Sequence, residues 1–405
     1  MTTEARFSCV FLVGVACLTA CGSAETDKDN WVRMESPTTS DYVDLSVVDG
    51  AVWVLQADGT VFSWNGSSWI NDDLPCSESG GLNRASNPPR ALWASAANDA
   101  WVVGGDICHF DGTEWQPMRN VFSGVNDVFT QCAPFQDVFG QSANQVWVLS
   151  ENCVLELDTD GPRINGQDVY FKATVGSSSV VNLCTNSCTW AYDTSCDDGG
   201  SGSRTTACAL GTDCSDCGTR QSEDPNKPKP TRLWVSGTQD IWGIGDKAVL
   251  RYQAGTWVEQ TNVNVEGARS IWGLASDDIY VAASTGVYHF DGTGWSRNAA
   301  DNLQVSALWG TAKEDIWAVG KDAFLDTTEI QHWNGSEWTY AVSKRDLATS
   351  AFIGVLGTQL LKGASGNSCC GLLAVDGNSA DNVWAVGRGG TVLRYQAPVF
   401  PPRMP

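Results

Sequence analysis

Short runs rich in Val, Ile, Trp and Tyr alternate with polar turns along most of this chain, and they recur as one pattern. The pattern reads apolar-Trp, a polar turn ending in Asp, apolar-Trp-apolar, Gly, another apolar run, Asp/Asn-Gly and Trp; it is clearest in residues 91–115, 270–295 and 307–338. Such runs predict β-strands, and the Asn-Gly and Asp-Gly dipeptides supply the positive φ of tight hairpins. We therefore expect four strands, a to d, in each unit, for example 91–95, 100–104, 107–110 and 114–118.

One aromatic residue of the second strand marks each copy of the unit. The seven marker residues are Trp53, Trp101, Trp147, Trp242, Tyr280, Trp317 and Trp384. The shortest spacing between markers is about 40 residues, and insertions lengthen the other units. A period of this size with four short strands is typical of a β-propeller blade.

The seventh unit, residues 381–396, has sequence for strands a to c and then enters a proline-rich tail, residues 397–405. The segment from Asn30 to Met34 has the character of a strand d, so it supplies the missing strand and closes the ring without exposed edges. The predicted fold class is therefore all-β: a seven-bladed propeller over residues 30–396, its last blade closed by the N-terminal strand. A ring of six or eight blades is the alternative.

The fragments DIWAVG (315–320) and GTVLRY (390–395) carry a resemblance to a known repeat. The pattern resembles the tryptophan-rich repeat of secreted and lipid-anchored bacterial β-propellers, over residues 30–396 apart from the insertions. The resemblance implies the fold but leaves function open, because propellers host both binders and enzymes. Every tryptophan except Trp190 falls on a repeat position, which predicts packing between blades; sugar stacking or cation binding is the alternative.

The N-terminus has the features of a secretory signal. Arg6 precedes an apolar run, residues 7–18, that is too short to span a bilayer as a helix. The sequence ending in Cys21 is similar to the bacterial lipobox, which implies that residues 1–20 are removed and that Cys21 is acylated, with 21–29 as a linker. Gly22 stands where an Asp would indicate inner-membrane retention, so the resemblance favours the outer membrane. An ordinary signal with a chance cysteine is the alternative.

The insertions all fall on one side of the predicted ring. Residues 76–90, 119–136, 176–230 and 341–370 lie between a strand d and the next strand a, and 321–328 lie between strands b and c. These two kinds of connection emerge on the same face, which we call the insertion face. The a-to-b and c-to-d turns are expected to stay at a few residues. Long loops on one face predict a binding surface, with neutral drift of loops as the alternative.

The largest insertion, 176–230, carries its own dense set of cysteines. They are Cys184, Cys188, Cys196, Cys208, Cys214 and Cys217. Because an exported chain meets an oxidising environment, we expect these six to form a disulfide-stapled module. The other mature cysteines, expected to serve the propeller loops, are Cys76, Cys108, Cys132, Cys153, Cys369 and Cys370.

The acidic, glycine-rich end of this module looks somewhat like the Notch-type repeat, although the cysteine spacing differs and the family's terminal Asp-Gly-Gly-Asp-Cys is Thr-Asp-Cys-Ser-Asp-Cys here. The resemblance implies a calcium ion held by aspartates, since Ca²⁺ takes oxygen ligands. The candidate ligands are Asp197, Asp198, Asp213 and Asp216. Acidic loops without an ion, or zinc held by the cysteines, are the alternatives. No cofactor is expected to be required.

The candidate catalytic groups are few. His109, His289 and His332 are the three histidines, and all occupy one position of strand c, where other blades have Ser63, Arg251 and Arg394. They are expected to lie on separate blades and not to meet. The aspartates before strand b are expected to cap turns. They are Asp99, Asp240, Asp278, Asp315 and Asp381.

The net charge of the chain argues against some classes of binding partner. The net charge of −22 makes nucleic acid and anionic lipid headgroups poor partners, because both need a basic surface. The sequence therefore predicts a monomeric, non-catalytic envelope or surface lipoprotein that binds a protein or a polysaccharide through the insertion face. A propeller glycan hydrolase or lyase with a central acidic pocket is one alternative, and a structural envelope scaffold is another.

Overall fold

The computed structural model describes thirty segments of strand together with the turns that join them closely. The described residues are 30–72, 88–118, 132, 134–150, 153–158, 170–174, 180–200, 202–223, 228–237, 240–245, 247–253, 256–298, 300, 303–323, 328–342 and 371–396. The structure of these residues confirms the predicted class, because it is a propeller of seven four-stranded antiparallel blades.

The bounds of the strands, in the order a to d within each blade, are as follows. Blade 1 comprises β2 (Tyr42–Val48), β3 (Ala51–Gln56), β4 (Val61–Trp64) and β5 (Trp69–Asp72). Blade 2 comprises β6 (Ala91–Ala96), β7 (Asp99–Val103), β8 (Ile107–Phe110) and β9 (Trp115–Pro117). Blade 3 comprises β10 (Phe135–Ser142), β11 (Gln145–Ser150), β12 (Val154–Asp158) and β13 (Tyr170–Thr174). Blade 4 comprises β16 (Arg232–Gly237), β17 (Asp240–Ile244), β18 (Val249–Gln253) and β19 (Thr256–Glu259). Blade 5 comprises β20 (Ser270–Ala275), β21 (Asp278–Ala283), β22 (Gly286–Phe290) and β23 (Trp295–Asn298). Blade 6 comprises β24 (Leu303–Ala312), β25 (Asp315–Asp322), β26 (Thr328–Trp333) and β27 (Trp338–Val342). Blade 7 comprises β28 (Leu372–Ser379), β29 (Asn382–Gly387), β30 (Thr391–Tyr395) and, as its fourth strand, β1 (Trp31–Arg33).

The N-terminal strand closes the ring as the sequence predicts. Strand β1 pairs antiparallel with β30, with Trp31 opposite Tyr395. The Trp31 ring is buried and meets the Trp317 ring of blade 6 edge to face, with 5.3 Å between the ring centroids. Strand β1 therefore joins both ends of the chain and two neighbouring blades.

Tryptophans interlock the blades, as their placement predicts. Several of the strand-b markers are fully buried, among them Trp53, Trp101 and Trp147. The tryptophans of strand a lie instead against a glycine of the next blade. A Cβ on Gly140 of blade 3 would come within 2.3 Å of the Trp93 ring of blade 2. The same arrangement recurs in three further pairs: Trp234 with Gly273, Trp272 with Gly310, and Trp309 with Gly377.

Most connections follow the predicted distribution between the two faces, but one expectation is wrong. The segments outside the described residues at 73–87, 119–131 and 343–370 all run from a strand d to the next strand a. In blade 3, however, residues 159–169 separate β12 from β13, so a long c-to-d connection emerges on the opposite face. The sequence misled because strand d of this blade begins at Tyr170 and has no tryptophan to mark it.

The cysteine-rich insertion forms a separate lobe between blades 3 and 4. Its base is a two-stranded ladder of β14 (Val180–Leu183) and β15 (Arg220–Glu223), and it contains one helical turn, α1 (Cys214–Cys217). The structure pairs the six cysteines among themselves, as Cys184–Cys214, Cys188–Cys208 and Cys196–Cys217. The lobe is thus stapled internally, as a chain too short for a hydrophobic core requires.

Cysteines of the propeller itself are also cross-linked. Cys132 pairs with Cys153 beside blade 3, and Cys108 in β8 is disulfide-bonded as well. Cys76, Cys369 and Cys370 lie outside the described residues, as do residues 1–29 with Cys21 and the tail from 397. A search of the described part of the chain finds no helix with the length and apolarity needed to span a membrane.

Candidate functional site

An axial channel runs between the innermost strands of the propeller. Strand a of every blade contributes to its wall, and the cavity has a volume of about 1120 Å³. Because side chains alternate along a strand, every second residue of strand a is directed towards the axis. Each strand a starts at the insertion face, since a d-to-a connection leads into it, so the residues at its start form the mouth of the channel on that face.

The wall of the channel is aromatic on one side and polar on the other. At the level of the marker residues it presents an arc of rings from blades 2 to 6, and the gap in the arc is filled by Ser46 and Asp376. The rings of the arc belong to Trp93, Phe139, Trp234, Trp272 and Trp309. Asp44, Asp137 and Arg232 lie two residues nearer the mouth, since they pair with strand-b residues two positions beyond the markers.

Three carboxylates of the channel wall also hold neighbouring blades together. Asp376 of blade 7 accepts a hydrogen bond from the Val47 N–H of blade 1, at 2.7 Å. Asp44 accepts one from the Leu92 N–H of the next blade at 2.9 Å. Asp137 likewise accepts one from the Leu233 N–H at 2.7 Å. Each carboxylate therefore satisfies a backbone donor of the following blade.

Burial makes these three carboxylates weak acids. Desolvation raises the pKa of Asp44 to about 6, against the opposing charge of Arg232 and two backbone N–H groups. Desolvation also raises the pKa values of Asp137 and Asp376 to about 7, and the nearby charge of Asp44 adds to both. Arg232 lies 3.8 Å from Asp137 and opposes the shift there. The channel therefore takes up protons near neutral pH.

Among the described residues, a set of arginines lies at the mouth of the channel on the insertion face. Arg90, Arg232 and Arg269 all line it, from blades 2, 4 and 5. Arg90 and Arg269 are exposed. Arg232 donates a hydrogen bond to the Gln136 carbonyl at 3.3 Å, and 40% of its side chain is exposed.

The histidines belong to a different arrangement. The sequence indicates their shared repeat position but not the side chains that they contact. They lie on separate blades and do not meet. His109, His289 and His332 each bond through Nε2 to the aspartate that opens strand b of their own blade, at 2.5, 2.7 and 2.6 Å. Each ring also stacks on the marker aromatic, with centroid separations of 4.0 to 4.2 Å.

The expectation that the aspartates before strand b cap turns is therefore wrong for four of the five. Asp99 accepts from the Ser95 hydroxyl of strand a as well as contacting His109 of strand c, so it bridges three strands. In blade 4, Asp240 does the same with Ser236 and Arg251. The turns are capped elsewhere, by Asn65, Asp111, Asp291 and Asn334 of the c-to-d hairpins.

In blade 7 the equivalent contacts fall to a different residue. Asp381 is exposed, and Asn382 accepts the hydrogen bond from the Trp384 indole at 3.0 Å. Arg394 stacks over the Trp384 ring in place of a histidine.

The four aspartates of the lobe are engaged in local hydrogen bonds. Asp197 accepts from the Thr205 hydroxyl, Asp198 from the Gly200 and Gly211 N–H groups, and Asp216 from two backbone N–H groups at Asp193 and Thr194. Asp213 accepts from the Asp197 N–H, but its other oxygen is buried without a hydrogen-bond partner.

Among the described residues, the group with three possible ligand atoms within 4.8 Å of one another is Cys196, Asp198 and Cys217, of which the two cysteines form a disulfide. The structure therefore does not gather three of the four aspartates around one point. Calcium binding by the lobe stays a prediction.

Comparison with solved structures supports the architecture. The chain is similar to a structure described as YCF48 bound to D1 peptide, with a TM-score of 0.58 and 11% identity over 92% of this chain and 99% of that one. It is also similar to YCF48 from Cyanidioschyzon merolae (TM-score 0.53, 10% identity, 91% and 98% covered). A third similar structure is the WD40 β-propeller domain of Doa1 (TM-score 0.53, 10% identity, 91% and 96% covered). No protein-family model and no curated protein matches the sequence. At such low identity the likeness shows the fold alone.

Proposed function

We propose that this chain is a lipid-anchored envelope protein that binds another protein through the insertion face of its propeller, without catalysis of its own. The observation that carries the proposal is the position of the channel mouth. The open, partly aromatic and partly charged cavity begins on the same face that bears the cysteine-rich lobe and most of the long connections. Concave sites surrounded by long loops are where propellers and other scaffolds bind ligands.

A protein ligand is favoured over a polysaccharide by the chemistry of the wall. The aromatic arc offers apolar area, the carboxylates accept N–H donors, and the arginines donate to carboxylates. A polypeptide presents all three complementary groups within a few residues. One similar propeller is described as bound to a peptide, which agrees with this choice.

The enzyme alternative has less support from the described residues. Each histidine is held by an aspartate and an aromatic ring of its own blade, well away from the channel wall. The channel aspartates are hydrogen-bonded to backbone groups that join the blades. These contacts give the titratable groups a structural task, so we place binding ahead of glycan hydrolysis or lysis.

The binding proposal is tested by using the full-length chain as bait in a detergent extract of the envelope. We expect retention of a protein that protease treatment of the extract abolishes and that polysaccharide-degrading enzymes leave in place. Retention that depends instead on intact polysaccharide would assign the face to a glycan. Retention of neither would favour the scaffold alternative.

The anchor is tested separately by Cys21→Ser. Acylation and signal cleavage both require the thiol, so the variant is expected to leave the detergent phase or to remain unprocessed. Unchanged partitioning into detergent of a variant from which residues 1–20 have been removed would contradict the anchor and would leave the binding proposal intact.

A further inference from the structure

We propose that the mouth of the axial channel binds the carboxylates of an acidic protein segment through Arg90, Arg232 and Arg269. The inference rests on the proposed binding function and names the site and the ligand chemistry. Arg90 directly precedes strand β6, Arg232 opens β16 and Arg269 directly precedes β20, so the three guanidinium groups stand at the same end of the strands that form the channel.

Two of these arginines have no oppositely charged partner within the described part of the chain. The side chains of Arg90 and Arg269 are exposed and make no ion pair or hydrogen bond there. Arg232 lies near Asp137 and donates a hydrogen bond to the Gln136 carbonyl. It belongs to blade 4, between the blades of the other two arginines.

Because acidic residues outnumber basic ones in this chain, arginines without an acidic partner point to a ligand that supplies one. The chain has 47 acidic and 25 basic residues, so an arginine has many possible acidic partners. Three arginines nevertheless gather at one cavity mouth, and two of them lack a carboxylate of the described chain. Guanidinium groups bind carboxylates with paired hydrogen bonds, which makes an external carboxylate their fitting partner.

The deeper channel indicates a polypeptide rather than an anionic polysaccharide as the source of that carboxylate. Asp44 and Asp137 lie at the level of Arg232, and Asp376 lies two residues deeper, so acidic groups follow Arg90 and Arg269 along the channel wall. An extended peptide can place acidic groups at the mouth and N–H or basic groups beyond them. A polyuronate presents carboxylates at every sugar and would bring them against the aspartates.

The test uses the full-length protein in detergent and fluorescein-labelled peptides of defined sequence. The probes are a glutamate–serine peptide, a lysine–serine peptide and a serine–glycine peptide, each with a free and an amidated carboxyl terminus, and binding is followed by fluorescence anisotropy. We expect binding of the glutamate peptide alone, weakening as salt rises. Loss of binding on amidation would assign the carboxyl terminus, and persistence would assign acidic side chains.

Arg90→Ala combined with Arg269→Ala is expected to weaken glutamate-peptide binding at least about tenfold, because it removes two of the three guanidinium groups that can form charge-assisted hydrogen bonds to the peptide. The control is Arg204→Ala combined with Arg297→Ala, which removes the same charge from the lobe and from strand β23. Both double variants should melt near the wild-type temperature, since none of the four side chains is buried.

Equal affinity of the two double variants, or equal binding of all three peptides, would overturn the proposal. Tighter binding of polygalacturonate than of the glutamate peptide would also overturn it, in favour of a polysaccharide. If the variant at Arg90 and Arg269 still retains the protein captured from the extract, the arginine site is wrong while the proposed function stands. If the wild-type chain captures no protein, the proposed function itself fails.

Discussion

At the residue scale, one repeated position performs a structural task through different side chains. In blades 2, 5 and 6 an aspartate, a histidine and an aromatic ring form a connected unit within each blade. Blade 4 uses Arg251 in place of histidine, with its guanidinium over the Trp242 ring. The unit links strands b and c by side chains in addition to the backbone ladder, and in blades 2, 4 and 6 a hydroxyl of strand a joins it, so it should make the blade more rigid.

The first prediction concerns this unit in blade 5. Asp278→Ala and His289→Ala are each expected to lower the free energy of unfolding by about 1 to 3 kcal/mol, because each leaves the other group without its partner. The double variant should cost less than the sum of the two. Chemical denaturation measures all three values.

Asp381→Ala is the control, because Asp381 directly precedes Asn382, the blade 7 counterpart of Asp278, and its side chain is exposed. It should change stability by no more than about 0.5 kcal/mol. A loss at Asp381 as large as that at Asp278 would restore the turn-capping interpretation.

The second prediction concerns the protons of the channel. Asp44, Asp137 and Asp376 have folded-state pKa values of about 6 to 7, raised by burial above the ordinary value of 3.8. The folded state therefore binds more protons than the unfolded state, and stability should fall as the pH rises from about 4 to above 7. The melting temperature at pH 5 should exceed that at pH 8.

Asp376→Asn keeps an oxygen that can accept the Val47 N–H but removes the titration, so it should flatten part of this pH dependence. Asp111→Asn is the control: hydrogen bonds from Thr113 and Glu114 lower the pKa of Asp111 to about 2, so its contribution is lost only in stronger acid. The channel assignment fails if both variants show the wild-type slope between pH 5 and pH 8.

At the element scale, the inner strands are fitted to one another through paired tryptophan and glycine. Strand a of blade 2 places the Trp93 ring where a Cβ on Gly140 of blade 3 would lie, and the pairing recurs around the ring. At Gly140 the three nearest atoms all belong to the neighbouring indole, whereas at Gly273 and Gly310 a carbonyl of the same blade also crowds the position.

The third prediction follows from this fit. Gly140→Ala would place Cβ within 2.3 to 2.5 Å of Trp93 ring carbons, so it is expected to destabilise the ring by about 1 to 3 kcal/mol. Gly237→Ala, at the end of strand a in blade 4, is the control, since no atom lies within 4 Å of the added Cβ. Equal thermal stability of the two variants would refute the interlock.

The sequence predicts the elements well wherever the information is local. Seven marker aromatics, hairpin dipeptides and the strand-like segment at Trp31 give the blade count and the closure, because each signal lies within one repeat. The c-to-d connection at 159–169 was missed because Tyr170 replaces the expected tryptophan. The channel aspartates were missed for another reason: which face of strand a meets the axis depends on register between strands.

Dependence on strand register also explains why the sequence did not predict the side-chain contacts of the candidate site. The aspartate before strand b and the histidine of strand c are ten or more residues apart, and only the register of β7 with β8 brings Asp99 to His109. Comparing blades offers a signal, because the blades with histidine or Arg251 on strand c all begin strand b with aspartate. The arginines at the mouth belong to three blades and share no local motif.

At the scale of the whole molecule, the protein combines a closed ring with one lobe that is stapled independently. Both ends of the lobe meet in the β14–β15 ladder, and its disulfides are internal. Trp190 is the tryptophan outside the repeat and is 54% exposed, with exposed Tyr192 beside it. Strands β14 and β15 pack mainly against each other, so we expect the ring to depend little on the lobe.

The fourth prediction is that replacing residues 180–223 by a Gly-Ser linker leaves a ring with near-native thermal stability.

If the lobe of the intact chain binds calcium, a chelator should make the lobe more sensitive to protease. Asp213→Ala, which removes the unpartnered buried oxygen, should have the same effect. Limited proteolysis followed by mass spectrometry measures both. Resistance indifferent to chelator would refute the ion and leave the disulfide lobe standing.

Site-specific photo-crosslinking can show whether a protein partner binds on the insertion face. A photoreactive amino acid replaces Ala57, which is exposed in the b-to-c turn of blade 1 at the channel mouth, or Ala97, which is exposed in the a-to-b turn of blade 2 on the opposite face. In envelope extracts, we expect a covalent adduct with a protein from position 57 and none from position 97. An adduct from position 97 alone, or equal adducts from both positions, would contradict binding on the insertion face.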